Sequence, residues 1–148
     1  MAKLPKEFQF LDLSDYGRPA GHWIAKRFQN TTVTPIHVTT MFVITGLLSV
    51  GFMIIEYYVT AAFFIILKSI LDAADGELSR LKNTPSYVGR YYDSIADFLL
   101  NFCFLSTFCY LSQSSIFLML LAFIGIQMQG TVFNYYYVIL RHSVNGDS

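Results

Sequence analysis

The sequence predicts an all-α integral membrane protein, a bundle of about four transmembrane helices preceded by an amphipathic helix at the interface. Three observations carry that prediction. With 54% hydrophobic and 14% charged residues over 148 positions, the chain is too apolar for an ordinary soluble fold of one domain. Its apolar residues gather into runs near the roughly 20 residues that cross a bilayer. Its lysines and arginines collect in alternate connections between those runs, the bias of cytoplasmic loops.

Residues 1–32 carry Lys3, Lys6, Arg18, Lys26 and Arg27 but no apolar stretch long enough for a signal peptide, so this segment is expected to stay uncleaved and cytoplasmic. From Pro19 to Phe28, Trp23, Ile24, Arg27 and Phe28 recur at near-helical spacing and predict a short amphipathic helix in the interface, anchored by Trp23. A loosely ordered basic tail drawn to anionic lipid is the alternative. Asn30-Thr31-Thr32 matches a glycosylation sequon, which has no meaning on a cytoplasmic segment.

The transmembrane domain is expected over residues 33–142, with 143–148 as a cytoplasmic tail. The first span runs from about Val38 to Ile55, free of charge between His37 and Glu56. A second begins at Tyr57 and is apolar to Leu71 apart from Lys68, then continues as a helix into an acidic stretch. Asn83, Thr84 and Pro85 mark a turn, because the residue before proline is pushed out of the helical region. The third span runs from about Ser86 to Leu111 and the fourth from Ser115 to about Leu140. Residues 98–140 hold no charged side chain, too long a run for one span and about right for two joined near Gln113.

Orientation follows from the charges. The amino-terminal segment has five basic residues, the second turn has Arg80, Lys82 and Arg90, and the tail has Arg141, whereas the connections at Glu56 and Gln113 have none. Both termini and the acidic stretch are therefore expected to face the cytoplasm. A formal net charge of zero gives no reason to expect nucleic acid. Cys103 and Cys109 read as packing residues, and Tyr135, Tyr136 and Tyr137 as an interfacial belt.

The chemistry is concentrated between Asp72 and Asp97. Asp72 and Asp75 are three apart and Asp93 and Asp97 four apart, so each pair shares a helix face. Antiparallel helices joined at Pro85 bring all four carboxylates together near one membrane surface. Like charges that close cannot all stay ionised without positive charge among them. A divalent metal supplies it, and carboxylate-only ligands suit Mg²⁺, Mn²⁺ or Ca²⁺ rather than zinc, since no histidine or cysteine lies in the stretch. Spacing alone leaves open a proton or cation pathway, or solvated charges at helix ends.

The arrangement Asp72, Asp75-Gly76, Arg80, Gly89, Asp93 and Asp97 resembles the signature of the CDP-alcohol phosphatidyltransferase family. The likeness extends more weakly from Ser14-Asp15-Tyr16 through the fourth span. Ser79 stands where that family usually has alanine, and Pro35-Ile36 where it often has Pro-Asn, with Thr34 or His37 as the replacement for the missing polar group. The family usually has six spans, and about four are expected here: either a shortened chain whose pocket a partner completes, or a minimal unit.

The resemblance implies transfer of a phosphatidyl group from a CDP-linked lipid such as CDP-diacylglycerol to a small alcohol acceptor, releasing CMP, in phospholipid biosynthesis. It implies two divalent ions, Mg²⁺ or Mn²⁺, held by Asp72, Asp75, Asp93 and Asp97, with Asp97 also the general base. Gly76, Ser79, Arg80 and Gly89 are the implied donor-binding residues, and a homodimer in the inner membrane is the implied assembly. Lys68, one turn before Asp72, and Arg90, one turn before Asp93, are read either as charge balance or as acceptor-binding groups. A truncated relative that binds CDP-lipid and metal without turnover, or a cation transporter using the same carboxylates, is the competing reading.

Overall fold

A computed structural model describes residues 16–84 and 86–144, and all five of its elements are helices. They are α1 (Arg18–Phe28), α2 (Pro35–Ile54), α3 (Tyr58–Leu81), α4 (Tyr87–Ser112) and α5 (Ile116–Ser143). The all-α expectation holds, and helix ends fall within a few residues of where proline, serine and hydropathy place them. Lys3, Lys6, Ser14-Asp15, Pro85 and the tail Asn145-Gly146-Asp147-Ser148 lie outside the described residues.

Local chemistry explains the boundaries. Thr34 caps α2 in a capping box: its hydroxyl accepts from the His37 amide, while the Thr34 amide donates to His37 Nδ1 at 3.1 Å, and Pro35 follows as the first helical residue. Ser86 caps α4 and Ser115 caps α5 through their hydroxyls. Each of the three connections between the long helices contains one left-handed residue, Glu56, Asn83 and Gln113, so the chain reverses at the places expected of it.

About four spans are expected, and three described helices are long and apolar enough to cross a membrane: α2, α4 and α5. The exception is α3, which carries Lys68 near its middle and Asp72, Asp75, Glu77 and Arg80 in its second half. Other helices cover that charged half. α2 packs along α3 on one side and α1 on another, whereas α5 packs only on α4, where Phe123 meets Phe98 and Phe102 edge-on.

The core is a cluster from the first four helices: Ala25, Val38, Phe42, Leu71, Ala74, Leu78, Ala96 and Leu100. Gly46 brings α2 close to α4, for a Cβ there would lie 2.7 Å from Leu100 Cδ1. The arrangement around α3 and α4 has a further consequence. Their Cα atoms stay more than 8 Å apart, so both lean on α2 and leave a cleft between them.

α1 is placed more firmly than its amphipathic pattern implies. Gly17, Gly21 and Ala25, four residues apart, form a stripe of small side chains: Gly17 lies against Ser69 and Ile70, Gly21 lies against Ala73 and Ala74, and Ala25 is buried in the core. Trp23 lies on another face and is 71% exposed, as an anchor requires. A Cβ on Gly21 would stand 3.0 Å from the Ala74 backbone nitrogen, which cannot move aside cheaply. Gly21→Ala is therefore expected to weaken the docking of α1 by about 1–3 kcal/mol, the usual cost of overpacking. Hydrogen exchange should show faster exchange in α1 alone; unchanged protection would mean that α1 is not held by this contact.

Candidate functional site

The cleft between α3 and α4 is where the acidic residues meet. One carboxylate oxygen each from Asp72, Asp75 and Asp93 lies within 4.8 Å of the other two. α3 supplies the first two from one face, three residues apart, and α4 supplies the third from across the gap. Asp75 is buried, and Thr39 of α2 donates to its Oδ2 at 2.7 Å. Asp93 Oδ1 is shielded from solvent and has no hydrogen-bond donor among the described residues. A buried carboxylate oxygen without a donor is costly in a closed protein and natural beside a cation. The donor set, all carboxylate oxygens on one small perimeter, fits a hard divalent ion.

Asp97 is not a member of that group. It lies one turn deeper on α4, and Lys68 of α3 donates to its Oδ1. Lys68 is thus an ion-pair partner of Asp97 rather than of Asp72, and its ammonium also sits 5.0 Å from the centre of the Phe42 ring. A largely buried lysine next to apolar helices has there the counter-ion it needs.

Two cavities open on the cleft. The first, about 440 Å³, is lined among others by Thr34, Ile36, Gly76, Ser79, Lys82 and Gly89, with Asp75 and Asp93 in its wall. A Cβ on Gly76 would meet nothing within 4 Å, so its missing side chain is open space rather than a packing need. Arg90 also lines this cavity, with its guanidinium 6.0 Å from the Tyr87 ring centre. The second cavity, about 540 Å³, lies beyond the trio and is lined by Tyr16, Arg18, Ser69, Asp72, Arg80 and Asp97, again with Asp75, Gly76 and Asp93. The shared wall of the two is therefore Asp75, Gly76 and Asp93.

The expected site residues divide between these spaces. Of the two, Ser79, Gly89 and Arg90 line the first cavity, Asp72, Arg80 and Asp97 the second, and Lys68 reaches the site through Asp97. Thr34, named as a replacement for a missing polar group, lines the first cavity, whereas His37 is turned to its helix cap.

Sequence reasoning missed three contributors. Thr39 stands on the buried face of α2 beside Val38 and Phe42, and a threonine next to these apolar residues is its signal. Lys82, read only as a topology marker, donates to the Thr31 and Val33 carbonyls at 2.7 Å and so ties the loop before α2 to the rim of the first cavity. Glu77, on the side of α3 away from Asp75, is buried and bound to both His22 and Arg80.

Comparison with known families gives one finding that bears on this geometry. A family model described as CDP-alcohol phosphatidyltransferase matches residues 32–146, which takes in α2 to α5 and all of the cleft's aspartates but leaves α1 outside. Comparison with curated proteins returns no match.

Proposed function

The chain belongs to the CDP-alcohol phosphatidyltransferase family, and on that premise we propose that it transfers a phosphatidyl group from a CDP-linked lipid such as CDP-diacylglycerol to a small alcohol, releasing CMP. Membership carries the coarser activity, transfer of a phosphate-linked group from a CDP-alcohol in a membrane setting. The observation that most supports the finer reading is that Asp75 and Asp93, two members of the carboxylate trio, form the shared wall of two cavities.

Asp72, Asp75 and Asp93 would hold the Mg²⁺ or Mn²⁺ ions, with Asp97 beside them and not essential to their binding. When bound, such ions neutralise the diphosphate and the leaving phosphate. The first cavity suits the nucleotide: Gly76 and Gly89 leave room for a flat base and ribose, while Ser79 and Lys82 supply polar groups at the rim. Arg80 presents guanidinium N–H groups to the diphosphate from the second cavity.

The second cavity is then the acceptor's side, since Asp97 lines it and not the first. There the acceptor hydroxyl oxygen attacks the phosphorus that carries the lipid, the bond from that phosphorus to the CMP oxygen breaks, and the hydroxyl proton passes to Asp97. Lys68 holds the Asp97 carboxylate in place beforehand.

The test is CMP release in proteoliposomes containing CDP-diacylglycerol and Mg²⁺, with inositol, inositol phosphate, glycerol phosphate, serine and an amino alcohol offered in turn. CMP formed only when one of these is present supports the reading. Metal-dependent CDP-lipid binding without CMP for any of them would make the chain a non-catalytic binder, and ion flux without CMP a transporter.

The cleft is proposed to open to the cytoplasm, where nucleotide-activated lipid head groups are made; the support is the absence of basic residues from the connections at Glu56 and Gln113. In a background without Cys103 and Cys109, cysteines placed at Glu56 and Gln113 should be labelled from outside intact cells, and one at Asn83 should not. External labelling at Asn83 would turn the protein over.

A further inference from the structure

We propose that His22 and Glu77 are positioning residues for Arg80, so that α1, which lies outside the family-matched segment, sets how that arginine meets the cleft. The proposal rests on Arg80 as the group that meets the donor's diphosphate. Glu77 is only 4% exposed although it sits near the charged end of α3, and it lines neither cavity. Burying a carboxylate costs several kcal/mol unless hydrogen bonds and charge satisfy it. His22 and Arg80 are two of the groups that satisfy it. Oε1 lies 2.9 Å from His22 Nδ1 of α1, and Oε2 accepts from Arg80 Nε at 3.2 Å and from Arg80 Nη2 at 2.6 Å.

That geometry decides what Arg80 can do. A guanidinium has five N–H donors in a rigid plane. Glu77 takes one on Nε and one on Nη2, so both donors of Nη1 and one of Nη2 are left for the polar cavity that Arg80 lines. Held by that edge, the plane cannot sweep as a free side chain would, and less entropy is lost when a phosphate docks.

The other end of the chain of contacts is equally fixed. α1 is seated by Gly17 and Gly21 against the backbone of α3, which sets where His22 stands relative to Glu77. Trp23, the next residue, is exposed and available to the interface. The seat of α1, His22, Glu77 and Arg80 thus form one mechanical series from the membrane surface to the phosphate side of the cleft.

Two measurements on the full chain in lipid nanodiscs test this. The first is ¹⁵N NMR of arginine side chains, with the Arg80 Nε–H signal assigned from Arg80→Lys. His22→Ala should broaden or abolish that signal, and His22→Gln, whose amide can still donate to Glu77, should restore it. The second is the Kd for CDP with Mg²⁺: His22→Ala should weaken binding about tenfold, the value of one hydrogen bond to a charged group. In an Arg80→Ala background the same change should have no effect. An Arg80 signal unaltered by His22→Ala overturns the proposal, as does an equal loss of CDP affinity in both backgrounds, which is what a merely structural histidine would give. If the wild-type chain does not bind CDP, the proposed function fails, and the NMR result still decides whether Arg80 is positioned by α1.

Discussion

Asp75→Asn is expected to lower both Mg²⁺-dependent CDP binding and CMP release by at least about 10³-fold, since an ion that stabilises developing phosphate charge contributes several kcal/mol. Among the three clustered carboxylates, Asp75 has the least freedom. It is 7% exposed, it shares the wall between the cavities with Asp93, and Thr39 fixes one of its oxygens. Asparagine keeps the size of the side chain and can still accept from Thr39, so the fold should survive while one negative charge is removed from the trio. Calorimetry with CDP, run with Mg²⁺ and with chelator, reads the effect directly. Unchanged metal dependence in the variant would show that this cluster is not the metal centre.

Asp97→Asn should give a different pattern: CDP and metal bind nearly as before, and transfer slows by about 10² to 10⁴-fold, the usual value of a general base. The difference arises because Asp97 stands outside the trio, faces only the second cavity and is held by Lys68. The amide oxygen can still accept from Lys68, which limits disturbance of the α3–α4 cleft. CDP affinity and CMP release measured on the same preparation separate the two effects. An affinity loss equal to that of Asp75→Asn would make Asp97 an ordinary metal ligand and leave the base to be found elsewhere.

Much of this arrangement is legible in the residues because its causes are local. The helix ends follow from Pro35, Ser86 and Ser115 and from runs of apolar residues, and spacings of three and four put the aspartates on common faces. Even the Lys68–Asp97 pair has a trace in the sequence. Asp72 and Asp93 stand symmetrically about the Lys82–Asn83 turn, and so do Lys68 and Asp97; the antiparallel register that joins one pair joins the other. Reading Lys68 by its own helix face instead points to Asp72, which is one turn, about 6 Å, further along the same helix.

What is not legible depends on helices that meet only in the folded chain. That α3 and α4 stand apart on a common support, rather than packing together, follows from the close fit of α2 to both and from Gly46 against Leu100. The seat of α1 needs Gly17, Gly21 and Ala25 to find Ser69, Ala73 and the core of α3, and nothing near α1 in sequence announces that partner. Glu77 shows the same limit. Two residues from Asp75, about 200° around a helix of 3.6 residues per turn, it faces α1 and not solvent.

A wall with a cavity on either side also constrains the course of the reaction in time. If the donor and acceptor occupy these two cavities as proposed, both can be present in one ternary complex, with the entering and departing oxygens on opposite sides of a single phosphorus. Transfer would then be direct and would invert configuration at that phosphorus. The phosphatidyl group would never be stored on a side chain, and CMP could remain in place until the new lipid has formed.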